Sequence, residues 1–354
     1  MCSRPETRRY RGAVIGLGAV ARRCHLPGFA LPPAAERLEI VAAVDPAAPA
    51  GAAGGLPVLR CKEELAAAGP LDFVDLCTPT ATHVELTLWA LERGYHVLCE
   101  KPVAVTAAGA ERIRRAAERA GRVVAPCHQY RYNPAWRHLV RWVEQGAIGR
   151  WHLAEFEVLR LGADPGAGTD PVPWRGRAAD GLGGVLLDHG THLLYQLLDL
   201  AGVPYRVHAW AGRLRHRAYE VEDTAHLLLE FPGRLAVGLL TWAGHRRENR
   251  LRLIGERGAI EWSGGTLALD RDGTIEAADY SAELEKSAYP RWFAELFGAF
   301  AAAMDRADPA PLEDIARVAA LLDAAYAAAD RAATEGTGPE RAGADRAAVG
   351  VGAA

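Results

Sequence analysis

The first part of the chain alternates short apolar runs with longer segments that carry apolar residues at helical spacing. Apolar runs predict strands at 12–21, 38–44, 71–76, 95–99 and 122–125, the first of which leads into a glycine turn. The segments between and after them predict helices that end at about residues 30, 93, 120 and 144. Strands that alternate with helices form a parallel sheet covered on both faces. The sequence therefore predicts a doubly wound α/β domain.

From Arg150 onward the pattern becomes that of half-buried strands. Residues 151–161 alternate, and a polar loop rich in Gly, Pro and Asp follows over 162–184, long enough to be functional. One helix is predicted at 185–201. Further strands are predicted near 207–214, 223–231, 235–242, 250–254, 259–262 and 266–269, and closing helices at 290–304 and 312–334. Consecutive strands joined by turns favour a second α/β domain with an open, mainly antiparallel sheet.

These patterns divide the chain into three predicted segments. They are an α/β domain over 1–128, a second α/β domain over 129–334 whose last helices pack back on the fold, and a disordered tail over 335–354. A basic start at Arg8–Arg11 before the first apolar run resembles a secretion signal. Cleavage after Ala21 would remove the first strand and the glycine turn, so we interpret this segment as part of the fold.

Composition narrows the class of protein. The 354 residues are half apolar and carry a net charge of −3, which gives no basic field for nucleic acid. No apolar run is long enough to cross a membrane, so no membrane partner is expected. The six cysteines lie between Cys2 and Cys127 without Cys-x-x-Cys or zinc-like spacing. This pattern is typical of reduced thiols in a cytoplasmic protein.

The glycine turn has the spacing of a dinucleotide-binding loop. Gly16-Leu17-Gly18-Ala19-Val20-Ala21 follows the first strand, and the next strand ends at Asp45. In such loops the first glycine permits a tight turn and the second lets backbone amides approach a pyrophosphate. A terminal Asp can accept hydrogen bonds from an adenosine ribose. Because no Arg or Lys lies between Asp45 and Leu59 to meet a 2′-phosphate, NAD(H) is favoured over NADP(H).

A second candidate site lies where another strand ends. Residues 95–99 end in Glu100-Lys101-Pro102, and ligands of open α/β sheets bind beyond the carboxyl ends of the strands. Only three of the 41 basic residues are lysines: Lys62, Lys101 and Lys286. A lysine retained at a strand end suggests a compact ammonium with a chemical role. The alternative is an ordinary surface lysine at a strand-to-loop junction.

The helix predicted at 185–201 begins with a carboxylate and two histidines. Asp188 and His192 are four residues apart and share one helix face, whereas His189 is turned by about 100°. A histidine beside a carboxylate suits proton transfer during carbinol oxidation. Two other interpretations stay open. Asp188 can be an N-terminal cap with a core-facing histidine, or His189 and His192 can bind a metal, although no third ligand is evident and no metal is predicted.

These motifs together resemble the glucose–fructose oxidoreductase/inositol dehydrogenase (Gfo/Idh/MocA) family. The landmarks are Gly16 to Gly18 with Asp45, Thr78-Pro79 with His83, residues 94–102, Arg131 to Pro134, Trp174-Arg175, Gly183-Gly184, Asp188 to His192 and Glu222 to Ala225. The resemblance implies a Rossmann domain and a second domain whose open sheet faces the cofactor and often forms oligomer contacts, in a homodimer or homotetramer. It also implies a catalytic triad in which His192 is the acid/base, Lys101 orients the substrate hydroxyl and Asp188 tunes both.

The remaining site residues follow from the same reading. The expected cofactor contacts are Gly16, Leu17, Gly18, Ala19, Val20, Asp45, Thr78, Pro79, His83, Glu100, Lys101, Trp174 and Arg175. The expected substrate contacts are His128, Arg131, Tyr132 and His189, together with Lys101, Asp188 and His192. His189 departs from the family, which usually has an apolar or small residue there. Ordinary packing is the alternative for residues 128–132, and a loop anchored by a buried Trp for Trp174-Arg175.

The sequence therefore predicts an NAD-dependent dehydrogenase or reductase. Its substrate would be a secondary alcohol, or the matching ketone, of a sugar, aminosugar or cyclitol. Three alternatives are an NADPH-dependent ketoreductase of a nucleotide-linked deoxysugar, a non-catalytic NAD-binding regulator, and a lyase or glycosidase that uses NAD transiently. On the strand at 151–161, Glu155 and Glu157 share one face, which we assign to solvent, and Arg160 lies on the other.

Overall fold

The computed structural model describes residues 8–48, 51, 53–163 and 172–334. The predicted tail at 335–354 and residues 164–171 of the long loop lie outside these ranges. Within them, two sheets and their helices meet along one cleft. None of the described helices combines the length and the hydropathy that crossing a membrane requires.

The first sheet contains six strands, all paired in parallel. The strands are β1 (Tyr10–Ile15), β2 (Leu38–Val44), β3 (Val58–Leu59), β4 (Phe73–Leu76), β5 (His96–Cys99) and β6 (Val124–Pro126). Their order is β3-β2-β1-β4-β5-β6. The order reverses at β1, and at such a switch point the carboxyl ends of neighbouring strands open a crevice for a ligand. The predicted doubly wound domain is confirmed.

Helices cover both faces of this sheet. They are the π-helical turn Ala21–His25 that continues into α1 (Leu26–Phe29), α2 (Ala34–Arg37), α3 (His83–Glu92) and α4 (Ala107–Ala120). Local sequence explains the bounds of α4. Thr106 Oγ1 accepts a hydrogen bond from the Gly109 amide at 3.1 Å and caps its start. Gly121, at φ 62°, ends it in the left-handed conformation that glycine adopts without strain.

The second sheet contains eight strands, six of whose seven pairings are antiparallel. The strands are β7 (Trp151–Leu159), β8 (Arg206–Gly212), β9 (Thr224–Phe231), β10 (Arg234–Thr241), β11 (Glu248–Gly255), β12 (Gly258–Ser263), β13 (Thr266–Arg271) and β14 (Thr274–Asp279). Their order is β14-β13-β12-β11-β7-β10-β9-β8, and β7 runs parallel to β10. The mainly antiparallel sheet is confirmed. The edge strand β14 was not predicted, because its residues are mostly exposed and lack an apolar face.

One face of the second sheet is buried beneath helices. These are α5 (Pro134–Glu144), α7 (Val185–Asp188) and α8 (Gly190–Ala201), whereas the short α6 (Ala178–Gly181) contacts the 3-10 turns Thr80–Thr82 and Trp174–Gly176. The core between the two layers contains Trp151, Phe156, Leu193 and Leu251. On the opposite face Glu155 lies 3.9 Å from Arg252, and Glu157 lies 4.0 Å from Arg250. The expectation that the two glutamates face solvent agrees with these partly exposed pairs.

The single helix predicted at 185–201 is interrupted at His189. The carbonyl of Asp188 accepts a hydrogen bond from Lys101 Nζ at 2.7 Å, instead of one from the His192 amide four residues later. The His192 amide donates to His189 at 3.1 Å, in the tighter spacing of a 3-10 turn. A hydrogen bond from Thr191 Oγ1 to the Leu187 carbonyl adds to the bend. The interruption is therefore produced by a contact from the other domain.

The two last helices return to the earlier parts of the fold. Phe293, Phe297 and Phe300 of α9 (Tyr289–Arg306) are buried against the parallel sheet, and the Phe297 ring stacks on Phe29 with centroids 4.0 Å apart. Burial stabilises the fold by roughly 1.5–3 kcal/mol for each such side chain. Helix α10 (Ala310–Thr334) lies against both domains, packing on α4, α8 and β8. The C-terminal helices thus join the two domains into one body.

Candidate active site

A cleft with a volume of about 720 Å³ lies between the carboxyl ends of the parallel strands and the second domain. Ligand sites commonly occupy roughly 300–1,000 Å³. Its walls come from the glycine turn, the ends of β2, β4 and β5, the turn after β6, and helix α7. Both domains therefore contribute side chains to one ligand-sized space.

The glycine turn forms one end of the cleft. Gly16 has φ +95°, and a Cβ there would lie 2.7 Å from the Cys77 carbonyl oxygen, so the turn requires glycine. Gly18 differs, since no described protein atom lies within 4 Å of the Cβ that could be added there. A glycine that protein packing does not require, at the wall of a cleft, leaves its backbone open to a ligand. Ala19 and Val20 line the same wall, so the turn fits a pyrophosphate group.

Asp45 lies beside this turn at the end of β2. Its Oδ2 accepts a hydrogen bond from the Leu17 amide at 2.8 Å, and its Oδ1 accepts one from Ala47 at 2.8 Å. The Leu17 side chain itself is buried, so Leu17 acts through its backbone. Arg60 folds back over this loop, and its Nη1 donates to the carbonyls of Pro46 and Ala48. The carboxylate fits a ribose diol and would repel a 2′-phosphate.

The other expected cofactor residues also line the cleft. Thr78, Pro79, Trp174 and Arg175 form its sides. The guanidinium of Arg175 lies 4.2 Å from the centre of the Trp174 ring. His83 is buried, and its ring nitrogens lie 2.8 Å and 2.9 Å from the carbonyl oxygens of Pro102 and Thr78. His83 therefore joins the loops that follow β4 and β5.

Glu100 is held from below by a buried histidine. His25 has no exposed surface, and its Nδ1 lies 2.8 Å from Asp75 while its Nε2 lies 3.0 Å from Glu100. Burial would lower the pKa of His25, but the Asp75 carboxylate outweighs it and raises the pKa well above its ordinary value. The other Glu100 oxygen accepts from the Lys101 amide at 3.1 Å. A protonated His25 thus fixes the strand end from which Lys101 projects.

Lys101 reaches across the cleft to Asp188. Its Nζ donates to the Asp188 carboxylate and to the Asp188 carbonyl. Burial would raise the pKa of Asp188, but the charges of Lys101 and Arg175 hold it well below its ordinary value. The Arg175 Nε lies 3.7 Å from the same carboxylate. Asp188 is therefore an ionised group shared by two cations.

His189 occupies the wall between the cleft and a smaller apolar cavity. Its Nδ1 accepts a hydrogen bond from Trp242 Nε1 at 3.3 Å and lies 3.3 Å from Asp188 Oδ2. Burial lowers the pKa of His189 to about 3, against the attraction of Asp188. The only described cluster with metal-ligand geometry is His25, Asp75 and Cys127, so His189 and His192 gain no third ligand. His189 is thus a neutral polar group at the cleft.

His192 lies beside His189 and is held by Tyr195. The His192 Nδ1 lies 2.9 Å from Tyr195 Oη, which also accepts a hydrogen bond from the Tyr130 amide at 3.2 Å. A phenol both donates and accepts, so it can hold the ring in either protonation state. Burial, followed by the charge of Lys101, lowers the pKa of His192 well below 6.5. No hydrogen bond among the described residues joins His192 to Asp188.

Three of the expected substrate residues lie outside the cleft. His128, Arg131 and Tyr132 line a separate depression on the other side of the 3-10 turn Gln129–Tyr132. Arg131 pairs with Asp199 and Asp314, and His128 Nδ1 lies 2.8 Å from Asp314. Side chains that follow one another around a tight turn point in different directions. The structure therefore places these three residues apart from the cleft that contains the other expected substrate residues.

Other residues line the cleft without having been expected there. They include Tyr130 of the same turn, Arg160 after β7, Leu187, Arg247, Lys286 and Tyr289, whereas Gln129 belongs to the segment after β6 that the sequence already placed near cofactor or substrate. The sequence could have indicated Tyr130, because it lies in the segment 128–132 that was considered for substrate contacts. Arg160 and Arg247 belong to the second domain, and Tyr289 begins α9. Only the packing of distant elements brings these three to the cleft.

Fold and cleft together define a two-domain protein of the dinucleotide-binding class. Residues 10–128 match the model of an oxidoreductase family with an NAD-binding Rossmann fold, and residues 136–261 match the GFO/IDH/MocA C-terminal domain. The chain belongs to the Gfo/Idh/MocA family of oxidoreductases.

Relatives of this chain include proteins named as dehydrogenases and one named as a reductase. D-glucoside 3-dehydrogenase of Escherichia coli (strain K12) is 31% identical over 55% of this chain and 54% of its own length. The dTDP-3,4-didehydro-2,6-dideoxy-alpha-D-glucose 3-reductase of Streptomyces violaceoruber is 31% identical over 75% and 73%. An inositol dehydrogenase homolog from Azotobacter vinelandii, solved with NAD+, is 22% identical, with a TM-score of 0.78 over 93% and 97%. The chain spans about half the length of several curated relatives that it matches.

The Asp45 carboxylate makes a testable contribution to cofactor choice. We expect Asp45→Asn to weaken NADH binding by roughly 10-fold, since hydrogen bonds to a charged group contribute about 1.5–3 kcal/mol. NADPH binding should improve, because a carboxylate no longer opposes the 2′-phosphate. Titration of each dinucleotide by fluorescence measures both. Asp270→Asn, on an exposed position of β13, is the control. Equal weakening of both dinucleotides would show that the substitution only disturbs the turn.

Proposed function

We propose that this protein is an NAD-dependent oxidoreductase that acts on a secondary alcohol, or the matching ketone, of a sugar, aminosugar or cyclitol. The observation that carries the proposal is that one cleft holds both halves of the chemistry. Gly16, Gly18 and Asp45 line one end, and the pair Lys101–Asp188 with His192 lines the other. A cleft that only bound a dinucleotide would need the first set and not the second.

The chain's own residues have separable roles in this proposal. NAD, when bound, supplies the acceptor for the hydride. Lys101 donates hydrogen bonds and orients the substrate hydroxyl, while Asp188 keeps its ammonium in place. His192 accepts the hydroxyl proton during oxidation and returns it during reduction. Tyr195 holds the His192 ring, because its hydroxyl serves either protonation state at Nδ1.

A ketoreductase of a nucleotide-linked deoxysugar is the second candidate. One observation favours it: the 3-reductase relative aligns over 75% of this chain, a larger share than the glucoside dehydrogenase does. The same Lys101 and His192 would then donate to the ketone oxygen. The cleft does not favour a regulator without turnover, since binding of a dinucleotide alone requires neither Lys101 nor His192.

We further propose a cytoplasmic homodimer or homotetramer. The described cysteines Cys24, Cys61, Cys77, Cys99 and Cys127 are all free thiols, which suits a reducing compartment. The outer face of the second sheet, with Glu155, Glu157 and their arginine partners, is the surface that the family likeness assigns to oligomer contacts. NAD is the proposed cofactor, supported by Asp45.

The absorbance of the nicotinamide during turnover tests this function. Purified protein is mixed with NAD or NADP and a panel of sugars, aminosugars, sugar acids and cyclitols, and with NADH or NADPH and the corresponding ketones. We expect NAD reduction with at least one polyol. Product formation without net change in the cofactor would favour the lyase or glycosidase alternative. Dinucleotide binding without any turnover would contradict the proposed activity and favour a regulator.

Substitution of the proposed proton-transfer groups separates chemistry from cofactor binding. We expect Lys101→Ala and His192→Ala each to lower kcat by roughly 100-fold or more, the usual contribution of a positioned acid or base. The affinity for NADH should change only slightly, because most of the expected dinucleotide contacts, the glycine turn and Asp45 among them, involve neither side chain. Lys62→Ala removes a partly exposed lysine outside the cleft and is the matched control. Equal losses of turnover and affinity would contradict the assigned roles.

The lowered pKa of His192 predicts where oxidation loses activity. A proton acceptor must be neutral, and burial together with the Lys101 charge holds its pKa well below 6.5. Oxidation should therefore be constant through neutral pH and fall only below pH 6.5, as His192 becomes protonated. The pH profile of kcat/KM for oxidation measures this. Activity that still rises through the alkaline range would assign proton transfer to another group.

A further inference from the structure

Arg160 is a buried cation at the substrate end of the cleft. It follows directly after β7 and lies on the sheet face that α8 covers. Only 5% of its surface is exposed, yet it lines both the cleft and the apolar cavity behind His189. Its electrostatic neighbours place Arg160 away from the glycine turn. The Arg160 charge acts on the pKa of His189, and Tyr130, Tyr289 and Asp188 act on the pKa of Arg160.

The protein satisfies only part of this guanidinium. Nη1 donates to the carbonyls of Leu159 at 2.7 Å and Glu248 at 2.9 Å, and Nη2 donates to Asn249 Oδ1 at 2.8 Å. All three acceptors are uncharged. A guanidinium has five N–H donors, so Nε–H and one Nη2–H have no acceptor among the described residues. No carboxylate in the described chain lies within ion-pair distance of it either.

An unpaired buried cation is costly in free energy unless an anion offsets it. Burial lowers the pKa of Arg160, which is the sign of this cost. The acidic groups nearby are already engaged. Asp188 is shared by Lys101 and Arg175, and Glu100 is held by His25. Glu157 is next to the apolar cavity but pairs with Arg250 at 4.0 Å. Two further cations, Arg247 and Lys286, also line the cleft.

We propose that Arg160 binds an anionic oxygen group on the substrate, so that the molecule oxidised or reduced is an acidic sugar or cyclitol. The anionic group is a carboxylate or a phosphate. The unused N–H groups of Arg160 form a fork that matches two oxygens of either group. The dinucleotide's own phosphates are not the target, because the glycine turn that fits them lies at the opposite end. This inference rests on the proposed function and specifies its substrate class.

Matched ligand pairs test the inference in the wild-type protein. The pairs are a hexose and the uronic acid derived from it, and the same hexose and its phosphate ester. Binding of each ligand to the NADH-loaded protein is measured by calorimetry, and kcat/KM is measured wherever turnover occurs. We expect one acidic member to bind roughly 10- to 100-fold more tightly than the neutral hexose, as a charge-assisted pair contributes about 1.5–3 kcal/mol. Preference for the uronic acid identifies a carboxylate, and preference for the ester identifies a phosphate.

Two variants distinguish recognition from structural support. Arg160→Gln retains hydrogen-bonding capacity without charge, and Arg160→Lys retains charge without the fork. We expect Gln to abolish the preference for the acidic ligand and Lys to restore part of it, with melting temperatures reporting whether each variant is folded. Arg115→Gln is the control, because Arg115 is exposed on α4, pairs with Glu111 and does not line the cleft. The control should keep the full preference.

The outcomes distinguish a failure of the Arg160 inference from a failure of the proposed oxidoreductase function. Equal binding of acidic and neutral ligands by the wild-type protein overturns the inference even if a neutral polyol is oxidised. Weak binding of both acidic ligands overturns it as well, whether or not turnover is seen. A loss of binding in Arg160→Gln that is equal for both members of a pair also overturns it. Preferential acid binding without any turnover supports the inference and counts against the oxidoreductase assignment instead.

Discussion

The end of the cleft that we propose for the reaction depends on one ammonium group that crosses from the parallel sheet to the second domain. Lys101 Nζ contacts both the carboxylate and the carbonyl of Asp188. The first contact keeps Asp188 ionised, and the second takes the acceptor that the His192 amide would use in a continuous helix. The chain therefore turns at His189, and the positions of both histidines become linked to the end of β5. One interaction thus sets charge, backbone path and side-chain placement together.

Beneath this contact lies a second ionic arrangement with a different role. His25 is buried between Asp75 and Glu100, and its charge is stabilised by the carboxylates on both sides. Buried ion pairs contribute little net stability, since desolvation offsets their attraction. What they supply is geometry, because each partner must stay in place to satisfy the others. Glu100 also accepts from the Lys101 amide, so the arrangement holds the backbone of the residue that spans the cleft.

Local pattern was enough to predict the doubly wound sheet, the antiparallel sheet, the glycine turn and Lys101 at a strand end. Each of these depends on residues close together in the chain. The break at His189 was not predictable in this way, because its cause is a lysine 87 residues earlier. The position of Arg131 outside the cleft was not predictable either, because spacing does not define the direction of side chains in a 3-10 turn. Arg160 and Tyr289 reach the cleft only through the packing of distant strands and helices.

The order in which the elements occur along the chain has a consequence for synthesis. The parallel sheet is made from the first 126 residues, but the helix that covers one of its faces, α9, ends at Arg306. Until the ribosome has released that helix, the apolar face around Tyr10, Val14 and Phe73 lacks its cover. An N-terminal domain commonly folds as soon as it emerges. Here one apolar face of the nascent domain receives α9 only after the whole second sheet, which ends at Asp279, has been made, so that face is exposed to chaperones and to aggregation for longer than the parallel sheet itself takes to emerge.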